Sequence, residues 1–319
     1  MNIKPRKVVI IGAGHVGSHV GFSLATQGIC DEIVFIDIYE KKAEAQTKDL
    51  EDATVYLPHH VNVKSGNYSD VDDAEIIVVS AGPLPDPTGG MTRMDTLGMT
   101  IEAIKPIVEN IKKSNFGGIL IDISNPADVI THYIQEKTGL PPERVISTST
   151  TLDSARLRKV LAKELNIDQK SIYAYAMGEH GESQMVPWSC ASIFGKSLYK
   201  LMEEKPETYG KLNLDEIAKK AKAGGWDVLY GKGSTEFGIG TSAAELIKTI
   251  FSNERKVSMI SVLLNGEYGQ KDVYASVPAI LGKDGVVEVI ELPMTEEELK
   301  QFALSCDTMR ENYKKALNM

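Results

Sequence analysis

Along the first half of the chain, short apolar runs alternate with stretches whose apolar positions recur every three or four residues. The runs "KVVII" (7–11), "EIVFID" (32–37), "VNVKS" (61–65), "EIIVVSAG" (75–82) and "GGILIDIS" (117–124) have the length and β-branched content of strands. Between them Val16, Val20 and Leu24 stand four apart, which predicts a helix that Gly28 closes. A charged helix is expected near 41–55, and others near 96–114 and 126–138. Strands alternating with helices predict right-handed crossovers and a parallel sheet covered on both faces.

The second half has another rhythm. After a helix near 152–165 comes "IYAYAMGEHG" (172–181), and later "VSMISVLLNGEYG" (257–269) and "ILGKDGVVEVIEL" (280–292) carry Asn-Gly and Asp-Gly turn signals of hairpins. Thr295 followed by Glu298 is a capping-box pattern opening a last helix that runs to about Asn318. The expectation is a doubly wound α/β domain over 1–147 followed by an α+β domain over 148–319, with no internal repeat.

Composition bounds the function. For 319 residues, two domains sharing a cleft is the natural solution, and 42% hydrophobic with 25% charged content fits an ordinary globular chain. A formal net charge of −9 argues against a nucleic-acid or acidic-membrane partner. Cys30, Cys190 and Cys306 are odd in number and outside any CxxC pattern, the usage of free thiols in a reducing compartment, so a cytoplasmic protein is expected. The start, "MNIKPRKVVIIGAG", imitates a secretory signal, but its apolar run is interrupted by glycine and lacks a cleavage site. No run of 18 apolar residues suggests a membrane span.

The first chemistry lies in "GAGHVG". Gly12, Gly14 and Gly17 follow a strand and open a helix, where glycine permits a tight turn and lets a pyrophosphate approach the positive helix end. Alone the pattern is weak. Asp37, twenty positions after Gly17 at the end of the second strand, stands where a carboxylate accepts hydrogen bonds from a ribose. Neither Ile38 nor Tyr39 supplies the cation a 2′-phosphate wants, so NAD is expected rather than NADP.

The second lies in "LDSAR" and "GEHGES". Asp153 and Arg156 share one face of a helix; such spacing often means only a surface ion pair. His180, between two glycines, offers the carboxylate another partner. If Asp153 accepts a hydrogen bond from one ring nitrogen, it fixes the tautomer and favours the imidazolium, leaving the other nitrogen to donate a proton. Ketone reduction by hydride needs that donor, because negative charge develops on the oxygen. His19, His59, His60 and His132 lack a metal-ligand pattern, and no metal is expected.

"GAGHVG", "VVSAG", "GMTRMD", "SNPAD", "LDSAR" and "GEHGES" occur in an order and spacing that resembles the L-lactate and malate dehydrogenases, over nearly the whole chain. The likeness is greatest to the branch of L-lactate and L-2-hydroxyisocaproate dehydrogenases. It implies a loop arginine, Arg93, that closes over the substrate and polarises its carbonyl, and a second, Arg156, whose fork grips the substrate carboxylate, a task for which lysine is less directional. It places Asn125 beside the nicotinamide and the substrate oxygen, with Pro126 after a cis bond; a turn asparagine capping the next helix is the alternative. Thr235 aligns with the substrate side-chain pocket, while Ser80, Ala81 and Gly82, together with the main chain around His15 and Val16, are expected to border the dinucleotide.

The same likeness bears on the substrate, a small 2-oxo or 2-hydroxy acid. Malate dehydrogenases of the family place a second arginine after the alanine-glycine pair, where this chain has Pro83, Leu84, Pro85 and Asp86. A distal carboxylate would lack a partner, at a cost on the order of several kcal/mol. Lactate dehydrogenases commonly carry glutamine there, which is missing too, and the loop is longer, as in the hydroxyisocaproate enzymes. L-lactate ranks first, with branched 2-hydroxy acids the alternative. Arg158 matches a basic position of sugar-bisphosphate-activated relatives, but Tyr173 stands where they have histidine, so weak or absent activation is expected. Relatives form dimers or tetramers, which implies a homo-oligomer. An NAD-binding sensor without turnover is the rival of another class; it would have no need of His180, Asp153, Arg93 and Arg156, and all four are present.

Overall fold

The computed structural model describes residues 4–83 and 93–319, with the Arg93 side chain left aside. Five strands and four helices alternate first: β1 (Lys7–Ile11), α1 (His15–Gln27), β2 (Glu32–Ile36), α2 (Glu40–Thr54), β3 (Asn62–Ser65), β4 (Ile76–Val79), α3 (Leu97–Lys113), β5 (Ile119–Asp122) and α4 (Ala127–Thr138). Then come β6 (Val145–Ser147) and α5 (Thr151–Leu165), and a small sheet of β7 (Ile172–Tyr173), β8 (Ser192–Ile193) and β9 (Lys196–Ser197). Helices α6 (Leu198–Glu204), α7 (Leu214–Lys232) and α8 (Phe237–Phe251) precede the antiparallel strands β10 (Lys256–Asn265), β11 (Lys271–Gly282) and β12 (Gly285–Val289), and α9 (Glu296–Leu317) closes the chain.

β1 and β2 are apolar almost throughout because both faces of their sheet are covered. Val8, Ile10, Ile33 and Phe35 enter one core cluster, whereas Val9, Ile11, Val34 and Ile36 enter the cluster on the opposite face. The strand order β6-β5-β4-β1-β2-β3 is parallel and reverses at β1, and a crevice at the carboxyl ends of such strands is where α/β sheets bind ligands.

The hairpins of the second half do not form a separate sheet. β10 pairs antiparallel with β6, Ser261 opposite Ser147, so the sheet runs unbroken through nine strands as β12-β11-β10-β6-β5-β4-β1-β2-β3. This junction has no local signature, because a three-residue strand shows too little alternation to announce itself. The expected capping box is present at α9, with Thr295 and Glu298 each bonding the other's backbone. α9 packs back on α4, where Tyr313 stacks on His132 with ring centres 3.7 Å apart. Among the described residues no helix is long and apolar enough to cross a membrane.

Candidate active site

Two of the three glycines in "GAGHVG" are sterically required. Gly12 has φ +104°, and a Cβ there would lie 2.0 Å from the Ser80 carbonyl oxygen; one on Gly17 would lie 2.0 Å from the Gly12 carbonyl oxygen. The ends of β1 and β4 therefore close to a distance that only glycine permits. Gly14 differs: a Cβ would meet only the Lys42 Nζ, at 3.7 Å. It is the N-cap of α1, with no side-chain cap and no acidic residue in the first turn, so the helix presents its main-chain N–H groups to the crevice.

Asp37 sits one residue beyond β2 and is drawn into this turn. Its Oδ2 accepts the Ala13 N–H at 2.8 Å and its Oδ1 the Tyr39 N–H at 3.0 Å, while Ile38 and Tyr39 point to solvent. Ser80 donates its N–H to the Ile11 carbonyl at 2.8 Å, and Ala81 to the Ser124 hydroxyl at 3.1 Å. Gly82 has φ +113° and would clash with Thr100 if it carried a side chain. The His15 imidazole is engaged with Glu236, Nδ1 to Oε1 at 2.8 Å, which ties the glycine turn to the segment before α8. An open helix start, a carboxylate fixed at the adjacent strand end and a bare glycine between them fit a dinucleotide.

The second cluster is built from side chains. His180 Nδ1 bonds the Asp153 Oδ2, and Arg156 donates Nη1–H to the Asp153 Oδ1 at 3.0 Å. Asp153 and Arg156 are no surface pair: their side chains are 3% and 9% exposed, so neither charge has an aqueous alternative. With Nδ1 held, Nε2 is the ring nitrogen left to the cavity that the ring lines.

That cavity holds about 100 Å³, well below the ~300–1,000 Å³ usual for drug-sized ligands and suited to a compound of a few heavy atoms. Asn125, Arg156, His180 and Thr235 line it together, and Val16 from the first turn of α1 joins it to the glycine turn. Asn125 does not cap α4, whose N-cap is Pro126; its Oδ1 is buried without a hydrogen-bond partner among the described residues. A buried amide oxygen so placed is costly unless something in the crevice donates to it. The Asn125–Pro126 bond is cis, as the resemblance implies.

Sequence reading passed over the apolar wall: Ile123, Leu152, Gly225, Trp226, Leu229 and Ile239 also line the cavity. Gly225 and Leu229 were recoverable, being four apart on the buried stripe of α7 with Ile217 and Ala221. It also assigned nothing to Asp128, whose carboxylate accepts the His180 main-chain N–H at 2.8 Å. Leu84, Pro85 and Asp86 lie outside the described residues, as does the Arg93 side chain, whose main chain opens a short 3₁₀ turn over Arg93–Thr96.

The family model of the lactate/malate dehydrogenase NAD binding domain matches residues 6–147, and that of the lactate/malate dehydrogenase alpha/beta C-terminal domain matches residues 150–319. "L-lactate dehydrogenase 3" of Bacillus thuringiensis is 41% identical over 309 residues, 97% of each chain. "L-lactate dehydrogenase" of Fusobacterium nucleatum is 42% identical over 308 residues, 97% of this chain and 96% of the relative. The crystal structure of the minor L-lactate dehydrogenase from Enterococcus mundtii in its ligands-bound form superposes with a TM-score of 0.93 at 35% identity, covering 98% of this chain and 99% of that one.

Proposed function

The chain belongs to the lactate/malate dehydrogenase family, and on that premise we propose that it is an NAD-dependent L-lactate dehydrogenase, interconverting pyruvate and L-lactate. The observation that carries this reading is the buried chain His180–Asp153–Arg156 at the wall of a cavity sized for a small acid.

Gly12, Gly14, Gly17 and Asp37 hold the dinucleotide, with the main chain of His15, Val16, Ser80, Ala81 and Gly82 along its edge and Asn125 at its reactive end. When bound, NADH supplies the hydride. Arg156 grips the substrate carboxylate, and its tie to Asp153 fixes the plane of the fork before substrate arrives. His180 donates the Nε2 proton to the carbonyl oxygen as charge builds there, and Asp153 stabilises the imidazolium and its tautomer. Arg93 polarises the carbonyl, the role the family resemblance implies for it. In the reverse direction the neutral ring accepts the alcohol proton; because reduction consumes a proton and oxidation releases one, rising pH favours oxidation.

The missing arginine between Pro83 and Asp86 supports rejection of dicarboxylates. A second reading, a branched 2-oxo acid as substrate, is favoured by one feature. Gly225 faces the cavity from the middle of α7, where glycine costs about 1 kcal/mol relative to alanine and has no turn to make. Gly225 lines the same cavity as Thr235, and its lack of a side chain supports a longer substrate side chain there. Exposed Val55 and Tyr56 at the end of α2, and Phe22 on α1, support a homodimer or homotetramer, and the free thiols of Cys30, Cys190 and Cys306 fit a reducing cytoplasm.

NADH oxidation with pyruvate, 4-methyl-2-oxopentanoate and oxaloacetate in parallel tests the reading, with Gly225→Ala alongside. Pyruvate is expected to lead and oxaloacetate to trail by about a thousandfold. Gly225→Ala is expected to lower kcat/KM for the branched acid about tenfold more than for pyruvate, one to two methylenes' worth of pocket. Preference for oxaloacetate defeats the reading of the loop, and no turnover of any acid favours a sensor. Fructose 1,6-bisphosphate is expected to leave the pyruvate KM nearly unchanged.

A further inference from the structure

His180 is held at two points by two different carboxylates. Asp153 of α5 takes its ring; Asp128 of α4 takes its main chain. Asp128 stands in the first turn of α4, three residues after Asn125, and is 2% exposed. Its Oδ2 accepts the His180 N–H at 2.8 Å and its Oδ1 accepts the Ser149 hydroxyl at 2.8 Å. Both bonds leave its own helix, whose N-cap receives no side-chain bond, so Asp128 is not acting as a cap.

The two groups it holds both belong to the cavity. Ser149 lines it and has φ +36°, a left-handed conformation that a non-glycine residue keeps only where its neighbours enforce it. The residues just before His180 are held elsewhere, Gly178, at φ +83°, pairing with Ser276 and the Glu179 N–H bonding the Ser305 hydroxyl at 2.9 Å. The ring bond to Asp153 fixes one atom of the imidazole. The bond from the His180 main-chain nitrogen to Asp128 adds an anchor at the residue itself, on the side of the cavity.

Resting on the dehydrogenase reading, we propose that Asp128 is a positioning residue for the proton donor: it pins the His180 main chain and the Ser149 turn to the start of α4, so that Nε2 and the Asn125 amide keep a fixed separation. Burial pushes the Asp128 carboxyl up, and the hydrogen bonds from the His180 N–H and the Ser149 hydroxyl oppose that rise without reversing it.

Position and charge separate by substitution. In Asp128→Asn the amide oxygen still accepts the His180 N–H and the amide nitrogen donates to Ser149, so geometry is kept and charge is lost; Asp128→Ala loses both. The charged groups around His180 are Asp153 and Arg156 of α5, Asp128 of α4, and Glu179 and Glu182 of its own turn. Lys222 of α7 is paired to Glu182, Asp122 of β5 and Cys306 of α9 are close enough to Asp128 for its charge to act on them, and the Arg93 side chain lies outside the described residues. None of the others is altered in these variants.

The test measures kcat, KM and NADH affinity of the full-length protein across pH, with pyruvate and with the unaltered protein as reference. Asp128→Ala is expected to lose about 10²-fold in kcat, the usual cost of misplacing a catalytic group by about 1 Å, with NADH affinity within about twofold. Asp128→Asn, whose amide keeps both bonds, is expected to recover kcat to within about fivefold of the unaltered protein, with KM nearly unchanged. Ser149→Ala, which keeps the His180 bond, covers the case in which Asp128→Ala fails to fold, and is expected to lose kcat about three- to tenfold, a fraction of that misplacement cost. An Asp128→Ala protein with near-normal kcat, an Asn variant as impaired as Ala, or an unaffected Ser149→Ala each overturns the proposal. No turnover by the unaltered protein instead defeats the dehydrogenase reading.

Discussion

The glycine turn after β1 and the buried cluster around His180 lie on either side of Val16, yet they are made of different material. The turn is backbone: Gly12 and Gly17 are fixed by carbonyl oxygens that leave no space for a Cβ, and its recognition groups are main-chain N–H donors and one carboxylate. The His180 cluster is side chain. It gathers Asp153, Arg156 and Asp128, all nearly excluded from water, around one imidazole. A backbone site tolerates almost any neighbouring side chain but no change of backbone shape. A side-chain site tolerates shape changes poorly and charge changes worse, since a buried charge that loses its partner keeps its desolvation cost.

The sharpest way to separate the two is to remove the proposed proton donor and leave the turn alone. His180→Asn is expected to lower kcat for pyruvate about 10³-fold, within the range for general acid catalysis, with NADH affinity within about twofold of normal. A variant that turns over normally removes His180 from the chemistry, and one that no longer binds NADH joins two sites held here to be separate.

The converse change is Gly12→Ala. It is expected to cost about 3 kcal/mol of stability, through a positive φ and a clash with the Ser80 carbonyl, and to abolish measurable NADH binding. Thermal melting with and without NADH reads both effects. If Gly12→Ala melts normally and is still stabilised by NADH, the turn is not sterically closed.

A smaller effect lies between the two regions, at the end of β5. Asp122 is fully buried, and burial is the largest influence on its carboxyl, pushing it from the ordinary 3.8 up to about 7 against hydrogen bonds from the Ser124 N–H and the Thr131 hydroxyl. An acid bound more tightly by its proton in the folded state stabilises the fold fully below its unfolded pKa. That contribution is lost as pH rises through the folded one, here between about 4 and about 7. Asp122→Asn removes the ionisation and keeps both hydrogen bonds, so its melting temperature relative to the parent is expected to climb from pH 4 to pH 8, by on the order of 2 kcal/mol in stability. A difference independent of pH means that Asp122 does not titrate in the fold.

The two regions were not equally legible. Gly12, Gly14, Gly17 and Asp37 announce themselves because a strand, a turn and a helix start are contiguous, and their spacing carries the geometry. Asp153 and Arg156 were legible as one helix face, but whether that face was wet or buried was not, and burial is what separates a surface ion pair from a fixed guanidinium fork. His180 stood out by its glycines. Asp128 did not, because the "NPAD" start of a helix gives an aspartate an ordinary local place, and its actual partner lies 52 residues away. The cavity wall was equally hidden: Leu152, Trp226 and Ile239 are apolar helix residues, and nothing local tells a core contact from a substrate contact.

By itself the sequence determined the alternation of strands and helices, the glycine turn, the cap of α9 and the supply of one imidazole, two carboxylates and an arginine. All of these are signalled by short stretches of contiguous sequence, and the helix faces and the cap by residues within about four positions of one another. Tertiary structure decided that β10 continues the sheet at β6 and that Asp153, 27 residues from His180, takes its ring while Asp128 takes its backbone. Packing of whole helices sets those meetings, and a contact across such separations depends on every element between its ends.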